Sequence, residues 1–183
     1  MKIFWDSEFT GLHQHTTLIS IGLVTENNLT FYAEFTDYAQ EQVDQWLMEN
    51  VLQKLKYGLD REMGFTRSVN LPNVEVKGDS PLIKEWLLYW FERFEHIDLW
   101  SDCLSYDWML LSELIADRSS GYPKFPKNFN YHSPYDILTL FEAKGTPVKE
   151  RGREKFADME GQEHNALWDA KVIRACYNKL MEM

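Results

Sequence analysis

The sequence is poor in the residues that mark secreted, fibrous or disordered proteins. It contains two cysteines, Cys103 and Cys176, which form no disulfide framework and match neither zinc-binding nor redox spacing. Nine glycines and six prolines are too few for a collagen-like or low-complexity chain, and a hydrophobic content of 44% excludes a disordered one. These absences leave a globular protein that has enough apolar residues to bury a core.

Long hydrophobic runs are also lacking. The longest uncharged, mostly apolar run is Thr16 to Thr25, which is about half of the ~20 residues that a membrane-spanning helix needs. Asp6 and Glu8 fall where a signal peptide would have its apolar core. We therefore expect a soluble, cytoplasmic protein that does not bind membranes. Because domains usually have ~100–200 residues, residues 1–183 are expected to form a single domain.

Positive charge is scarce as well, since 19 Lys and Arg against 29 Asp and Glu give a net charge of −10. This balance argues against a protein held to nucleic acid by a broad basic face. It does not exclude an enzyme that meets phosphate through divalent metal ions, because such ions invert the local field where carboxylates converge. Charge alone leaves open an ordinary acidic enzyme and a metal-dependent phosphoryl-transfer enzyme.

Strand-like segments come first in the chain and helical segments later. Apolar, β-branched runs predict an antiparallel meander of three strands, at 1–5, 17–24 and 29–35. Helical spacing and capping signals predict five helices, at 40–55, 80–94, 108–116, 134–141 and 165–180. A buried strand is predicted at 96–103, and residues 57–78, with three glycines and a proline, are predicted to be mostly loop. This order is typical of a layered α/β or α+β domain, and we expect a mixed sheet with helices on its faces.

Two carboxylates lie two residues apart where the first strand ends. On a strand, the side chains of Asp6 and Glu8 point to the same face. Their mutual repulsion favours a compensating cation, and oxygen-rich clusters suit Mg²⁺ or Mn²⁺. Taken alone, an Asp-x-Glu pair is more often a solvated strand end or a turn.

A third carboxylate follows the predicted strand at 96–103. Asp107 stands at the start of a predicted helix, where an Asp is most often an ordinary N-cap. Asp102, at the end of the strand, competes for the same functional role. We favour Asp107 because strand-to-helix junctions commonly carry sites.

The last candidate pair precedes and begins the C-terminal helix. His164 and Asp169 are five positions apart, which on an ideal helix corresponds to a rotation of about 140°. They converge only if His164 lies just before the first turn. Ala166 and Ala170 are small enough to let this helix lie close to a sheet. Alone, a histidine near a helix N-terminus and a solvated helical Asp are the more frequent explanation.

Together these motifs resemble a known group of nucleases. Asp-x-Glu early, Asp in the middle and His-x₄-Asp near the end, in that order, is the pattern of the DEDDh 3′→5′ exonucleases, which include RNase T, oligoribonuclease and proofreading exonucleases. The segments FWDSEFTGLHQHTTLISIGLV and FYAEFTDY…WLMENVLQKL are most similar to the polyadenylate-specific 3′-exoribonuclease (RNase AS) subgroup. The resemblance implies an RNase H-like fold, two divalent ions, and cleavage of single-stranded 3′ ends to nucleoside 5′-monophosphates.

The resemblance also assigns roles to individual residues. It implies four metal-binding carboxylates, Asp6, Glu8, Asp107 and Asp169, with Asp6 shared between two Mg²⁺ ions for which Mn²⁺ could substitute. His164 would be the general base, because a neutral imidazole can take the proton of the attacking water near pH 7.

Further residues are candidates for substrate contacts. Family members use residues just after the first motif against the terminal base, which suggests Phe9 and Leu12, although Phe9 is equally well explained as a core residue. Trp108 could stack on a base, although core packing is the commoner role of a tryptophan. Five basic residues before the histidine motif could contact backbone phosphates or form a solvated loop: Lys144, Lys149, Arg151, Arg153 and Lys155.

The expected partner is single-stranded nucleic acid, and RNA is favoured over DNA on the subgroup resemblance alone, since no residue visibly reads a 2′-hydroxyl. A DNA exonuclease of the same superfamily and a catalytically silent nucleic-acid-binding module are the alternatives. An RNase H-type endonuclease is disfavoured because His-x₄-Asp belongs to the exonucleases. Since family members are often homodimers, a homodimer is also possible.

Overall fold

The structure is a computed structural model that describes residues 1–59, 66–70, 73–130, 134–146 and 152–183. Within these residues seven strands form one sheet: β1 (Lys2–Phe9), β2 (Leu18–Thr25), β3 (Thr30–Phe35), β4 (Thr66–Asn70), β5 (Asn73–Gly78), β6 (Asp98–Ser101) and β7 (Tyr135–Asp136). The same residues contain six α-helices: α1 (Gln45–Asn50), α2 (Ser80–Phe91), α3 (Leu104–Ile115), α4 (Ile137–Ala143), α5 (Arg153–Phe156) and α6 (Ala166–Glu182).

The sheet is mixed and has the order β4-β5-β3-β2-β1-β6-β7. β1, β2 and β3 form the predicted antiparallel meander, and β4 pairs antiparallel with β5. β5 is parallel to β3, and β6 is parallel to both β1 and β7. The predicted α/β architecture, with a mixed central sheet flanked by helices, is confirmed.

Side-chain alternation along β1 distributes its residues between two helical layers. Ile3 and Trp5 are fully buried in the larger core, which also contains apolar residues of α2 and α3. Phe4, on the opposite face, packs in a second core with apolar residues of α4 and α6. Since Asp6 and Glu8 follow Phe4 at intervals of two, they lie on the α6 face of the sheet.

The prediction that residues 57–78 are mostly loop is wrong, because β4 and β5 lie within them. Val74 and Val76 of β5 are fully buried, and β5 pairs with β3 over five residues. Gly78 is the last residue of β5, so this glycine ends a short strand instead of belonging to one continuous loop. Residues 60–65 and 71–72 lie outside the described part of this segment.

The predicted helix at 40–55 is broken into three pieces. α1 is flanked by short 3₁₀ helices at Gln40–Gln42 and Leu52–Lys54. The break has a local cause, because Asp44 caps α1 by accepting a hydrogen bond from the backbone N–H of Leu47 at 2.8 Å. The apolar periodicity of the segment is still used, and Leu47, Val51 and Leu52 pack in a third, smaller core.

Candidate metal centre

Five carboxylates converge at the ends of β1 and β6 and the beginnings of α3 and α6. Oxygens of Asp6, Glu8 and Asp169 all lie within 4.8 Å of one another. Oxygens of Asp6, Asp102 and Asp107 form a second set with the same spacing, so that Asp6 belongs to both. Carboxylate oxygens grouped in this way match the ligands that Mg²⁺ and Mn²⁺ prefer, and the site fits divalent ions.

The close approach of α6 to β2 brings Asp169 to the sheet. Gly22 of β2 faces the first turn of α6, and a Cβ atom at this position would overlap the backbone of Ala166 and Leu167. Ala166 and Ala170 are fully buried in this contact, as their small size predicts. The helix therefore rests almost directly on the strand next to β1, which allows a short side chain such as that of Asp169 to reach the acid cluster.

His164 lies just before the first turn of α6, the position that its convergence with Asp169 requires. Asn165 is the N-cap, and its side chain accepts a hydrogen bond from the backbone N–H of Trp168 at 3.1 Å. The backbone N–H of Asn165 in turn donates to Oδ2 of Asp169 at 3.1 Å. His164 itself is half-buried and adopts a left-handed backbone conformation with φ of 62°. The cap thus ties the loop that carries the histidine to the carboxylate of Asp169.

Asp107 is held rigidly by two serine hydroxyls. It is fully buried in the first turn of α3, where Cys103 occupies the N-cap position, so Asp107 is not the cap of this helix. Ser7 Oγ donates to Oδ1 of Asp107 at 2.5 Å, and Ser101 Oγ donates to Oδ2. Hydrogen bonds to both oxygens fix the orientation of the carboxylate towards Asp6.

Asp102, the alternative to Asp107 in the sequence, is also a member of the acid cluster. Its side chain is buried at the end of β6 and forms an ion pair with Arg153 of α5. The signal was its position at a strand end, but only the parallel pairing of β6 with β1 shows that this end adjoins Asp6. Arg153, a candidate phosphate contact, is instead directed at Asp102 with only 15% of its side chain exposed.

The convergence of acids raises their affinity for protons. Burial is the main cause that lifts the pKa of Asp6 well above its ordinary value, followed by the charges of Asp107, Asp102 and Asp169. Burial likewise raises the pKa of Glu8 to about 8 and the pKa values of Asp107 and Asp169 to about 7. A cluster that holds protons this strongly also favours multivalent cations, which remove both the repulsion and the desolvation penalty.

Two cations oppose this repulsion from the rim of the cluster. Lys54 lowers the pKa of Glu8, and Arg153 lowers the pKa of Asp169, in each case by less than burial raises it. Lys54 is also bound to the loop before α6, because its Nζ donates to the backbone carbonyl of Glu163 at 2.8 Å.

A cavity of about 340 Å³ adjoins Glu8, and its walls include Phe9, Leu12 and Trp46. Phe9 stacks on Tyr106 with ring centroids 5.4 Å apart, whereas Leu12 is 72% exposed at the rim. Both candidate base contacts of the first motif therefore line this cavity. Trp46 also touches His164, with ring centroids 5.1 Å apart, so the histidine lies beside the same cavity.

The remaining candidate substrate contacts lie elsewhere. Trp108 packs on Phe125 at the margin of the larger core, with ring centroids 5.8 Å apart, and is not among the described residues that line the cavity. Lys144 and Lys155 are exposed. Lys149 and Arg151 lie outside the described residues. A role of Trp108 in stacking on a base stays a prediction.

No α-helix in the described ranges combines the length and the apolar character that crossing a membrane requires. This finding is in keeping with the sequence, in which long apolar runs are lacking.

Comparison with known proteins identifies relatives along almost the whole chain. A family profile described as the 3′-5′ exoribonuclease Rv2179c-like domain matches residues 1–181. The 3′-5′ exoribonuclease Rv2179c of Mycobacterium tuberculosis strain ATCC 25618 / H37Rv and the 3′-5′ exoribonuclease MT2234.1 of strain CDC 1551 / Oshkosh are each 26% identical to this chain over 172 residues. The match covers 93% of this chain and 88% of each relative.

A solved structure of the Neurospora crassa Pan2 catalytic unit (protease and nuclease domain) aligns with 99% of this chain at 12% identity and a TM-score of 0.44. This chain spans 27% of the Pan2 chain.

Proposed function

The chain belongs to the family of 3′-5′ exoribonuclease Rv2179c-like domains, and on this premise we propose that it is a metal-dependent exonuclease that removes nucleoside 5′-monophosphates from single-stranded RNA 3′ ends. The observation that carries the proposal is the sharing of Asp6 between two sets of carboxylate oxygens. A single set of carboxylates would suit one ion, whereas two sets that share a carboxylate suit a pair of adjacent ions.

The acid cluster supplies the ligands for these ions. Asp6, Glu8 and Asp169 would hold one ion, and Asp6 and Asp107 the other, beside Asp102, an oxygen of which belongs to the same set. We propose Mg²⁺, for which Mn²⁺ can substitute because both prefer oxygen ligands. When bound, two such ions stabilise the charge that develops on the attacking and leaving oxygens of an in-line displacement at phosphorus.

His164 is the proposed general base. Its place before α6, beside the cavity that Glu8 and Trp46 line, supports a role at the edge of the acid cluster. The imidazole would accept a proton from the attacking water, a task for which a carboxylate engaged with metal is less suited. The hydroxyls of Ser7 and Ser101 hold Asp107 in place, and the N–H of Asn165 orients Asp169. These hydrogen bonds would keep the carboxylate ligands rigid beside the imidazole.

The cavity next to Glu8 is the proposed site of the 3′-terminal nucleoside. Its volume of about 340 Å³ is near the lower end of the range for small-ligand pockets, which suits one nucleoside and not a base pair. Phe9 and Leu12 offer apolar surface to the base, and an aromatic ring such as that of Phe9 is a usual platform for an unpaired base. The relatives, named as exoribonucleases, support RNA as the substrate class.

The proposal is tested with a 5′-labelled single-stranded RNA, the DNA of the same sequence and a circular form of the RNA, each with Mg²⁺, Mn²⁺ or EDTA. We expect the linear RNA to shorten one nucleotide at a time with either ion, and the circular RNA and the Asp6→Asn control to give no product. Faster shortening of DNA would identify a DNA exonuclease, and cutting of the circle an endonuclease. Binding without cleavage under every condition would identify a silent module.

Three finer expectations accompany this proposal. The resemblance to the polyadenylate-specific subgroup predicts that 3′-terminal adenosines are removed faster than uridines or cytidines, which substrates with homopolymer tails test. A homodimer is tested by light scattering on the purified chain. A cytoplasmic location is tested by fractionation of cells that express it.

A further inference from the structure

The segment that contains α1 contacts the loop before α6 at two points. The indole of Trp46 lies against the imidazole of His164 in an edge-to-face arrangement, with centroids 5.1 Å apart and planes at 78°. Lys54 Nζ donates to the carbonyl of Glu163, the residue before the histidine, at 2.8 Å. The same short stretch of chain therefore holds both the backbone and the ring of the loop residues at 163–164.

The backbone of His164 needs such support. A φ of 62° places it in the left-handed region, which is uncommon for residues other than glycine and which costs backbone strain that the surroundings must offset. The cap formed by Asn165 restrains the loop on the α6 side. Trp46 contacts the imidazole ring itself.

Trp46 is itself carried on a fixed support. Its neighbour Leu47 is buried in the small core that also contains Ile19 of β2, and Asp44 caps the helix. The indole is nevertheless 52% exposed. A large apolar side chain on an anchored helix that is left half in solvent, with its ring against a histidine, is not explained by core packing.

We propose that Trp46 is a positioning residue that orients the imidazole of His164 towards the acid cluster. The inference rests on the proposed function only in taking His164 as the general base. Because the same indole lines the cavity beside Glu8, the orientation of the imidazole is set relative to the place where the terminal nucleoside would sit.

A double-mutant cycle tests the proposal. Single-turnover cleavage of RNA at saturating concentration is measured for Trp46→Leu, His164→Ala and the double variant. If Trp46 acts through His164, Trp46→Leu slows the wild-type enzyme by about 10- to 100-fold, but changes the rate of the His164→Ala protein by less than about 2-fold. Trp46→Phe keeps an aromatic ring and should retain most of the wild-type rate. Met48→Ala, on the same helix, is the matched control and should cleave at the wild-type rate.

A second measurement needs neither metal nor RNA. The ring signals of His164 are followed by ¹H–¹³C NMR in the free protein and assigned by their loss in His164→Ala. Because an indole shifts the resonances of a ring packed against it, Trp46→Leu should move the His164 signals and leave those of the other histidines in place. Met48→Ala should move none of them.

The outcomes separate the two proposals. If Trp46→Leu slows both backgrounds equally, Trp46 acts on the RNA and not on His164, and the inference is wrong. Unchanged His164 signals in Trp46→Leu would overturn the inference as well. If the His164→Ala protein cleaves RNA too slowly to measure, the NMR result alone decides. If His164→Ala cleaves as fast as the wild type, the assignment of the general base fails instead.

Discussion

Gly22 lies directly opposite Asp6 in the β1–β2 ladder, and the absence of a side chain at Gly22 gives the first turn of α6 its place on the sheet. Side chains at paired positions of neighbouring strands point to the same face. The face that carries the shared carboxylate is therefore the face on which the helix approaches most closely. This contact links the first sequence motif to the last.

Replacement of Gly22 with alanine should disturb both stability and activity. The new methyl group overlaps the backbone of Ala166 and Leu167, and overpacking of this kind destabilises proteins by about 1–3 kcal/mol. Because α6 carries Asp169, its displacement should also lower the cleavage rate. Urea unfolding and single-turnover assays measure the two effects. Gly121→Ala is the control. Gly121 has a φ of 83° but open space around it, so the alanine should strain the backbone and lower stability without changing the cleavage rate.

The metal-free protein should lose stability as the pH rises from about 4 to about 8. Unfolded carboxylates titrate near pH 4, whereas burial and mutual repulsion raise the pKa of Glu8 to about 8 and that of Asp107 to about 7. Between these limits the folded state binds more protons than the unfolded state, so the free energy of unfolding decreases with pH. Thermal unfolding in EDTA across this range measures the trend.

Two comparisons identify the source of that trend. Asp6→Asn removes the charge common to both sets of acids, so it should be more stable than the wild type in EDTA at pH 8 and inactive with any ion. Added Mg²⁺ should stabilise the wild type more at pH 8 than at pH 5.5. Asp158→Asn, which alters an exposed ion pair, should leave the pH trend unchanged. An identical slope in Asp6→Asn would show that other groups cause it.

His164→Ala should separate catalysis from metal binding. Loss of a general base typically slows a reaction by about 10²–10⁴-fold, while all the carboxylates that form the two sets remain. Mn²⁺ binding, followed by electron paramagnetic resonance, should keep its wild-type affinity. A rate within a few-fold of wild type, or a loss of Mn²⁺ binding equal to that of Asp6→Asn, would contradict the assignment of the base.

The buried pair between Asp102 and Arg153 should be important for stability. Arg153→Met removes the guanidinium but leaves the Asp102 carboxylate buried, and disruption of a buried pair in this way destabilises proteins by roughly 3–5 kcal/mol. Asp102→Asn in the same protein should recover most of the loss. Arg118→Met, which breaks an exposed pair with Glu113, should change the free energy of unfolding by less than about 1 kcal/mol.

The parts of the site that local sequence rules describe could be predicted. The spacing of Asp6 and Glu8 follows from the period of a strand, and the placement of His164 before the first turn follows from the helical rotation that would otherwise separate it from Asp169. Both motifs are contained in a few consecutive residues. The meander of β1 to β3 is likewise built from strands that follow one another along the chain, and the tight turn between β2 and β3 holds Asn28 with a φ of 67°.

The parts that depend on distant pairing could not be predicted. Asp102 and Asp107 stand at one junction, and only the register of β6 beside β1 shows that both reach the cluster. Arg153 belongs to a polar, basic stretch, which gave no sign of its largely buried ion pair with Asp102. The strands β4 and β5 could not be recognised among the glycines and the proline of this segment, because β5 owes its strand character to pairing with β3, and β4 to pairing with β5, and not to a long apolar run.

One carboxylate held in common has a consequence for how the proposed pair of Mg²⁺ ions would bind. An ion at either position would withdraw negative charge and coordinating oxygen from the other, so the two ions would bind in unequal steps. In the proposed mechanism turnover would need both ions and would follow the later step. A plot of cleavage rate against Mg²⁺ concentration should therefore lie to the right of a plot of bound ion measured on the same sample.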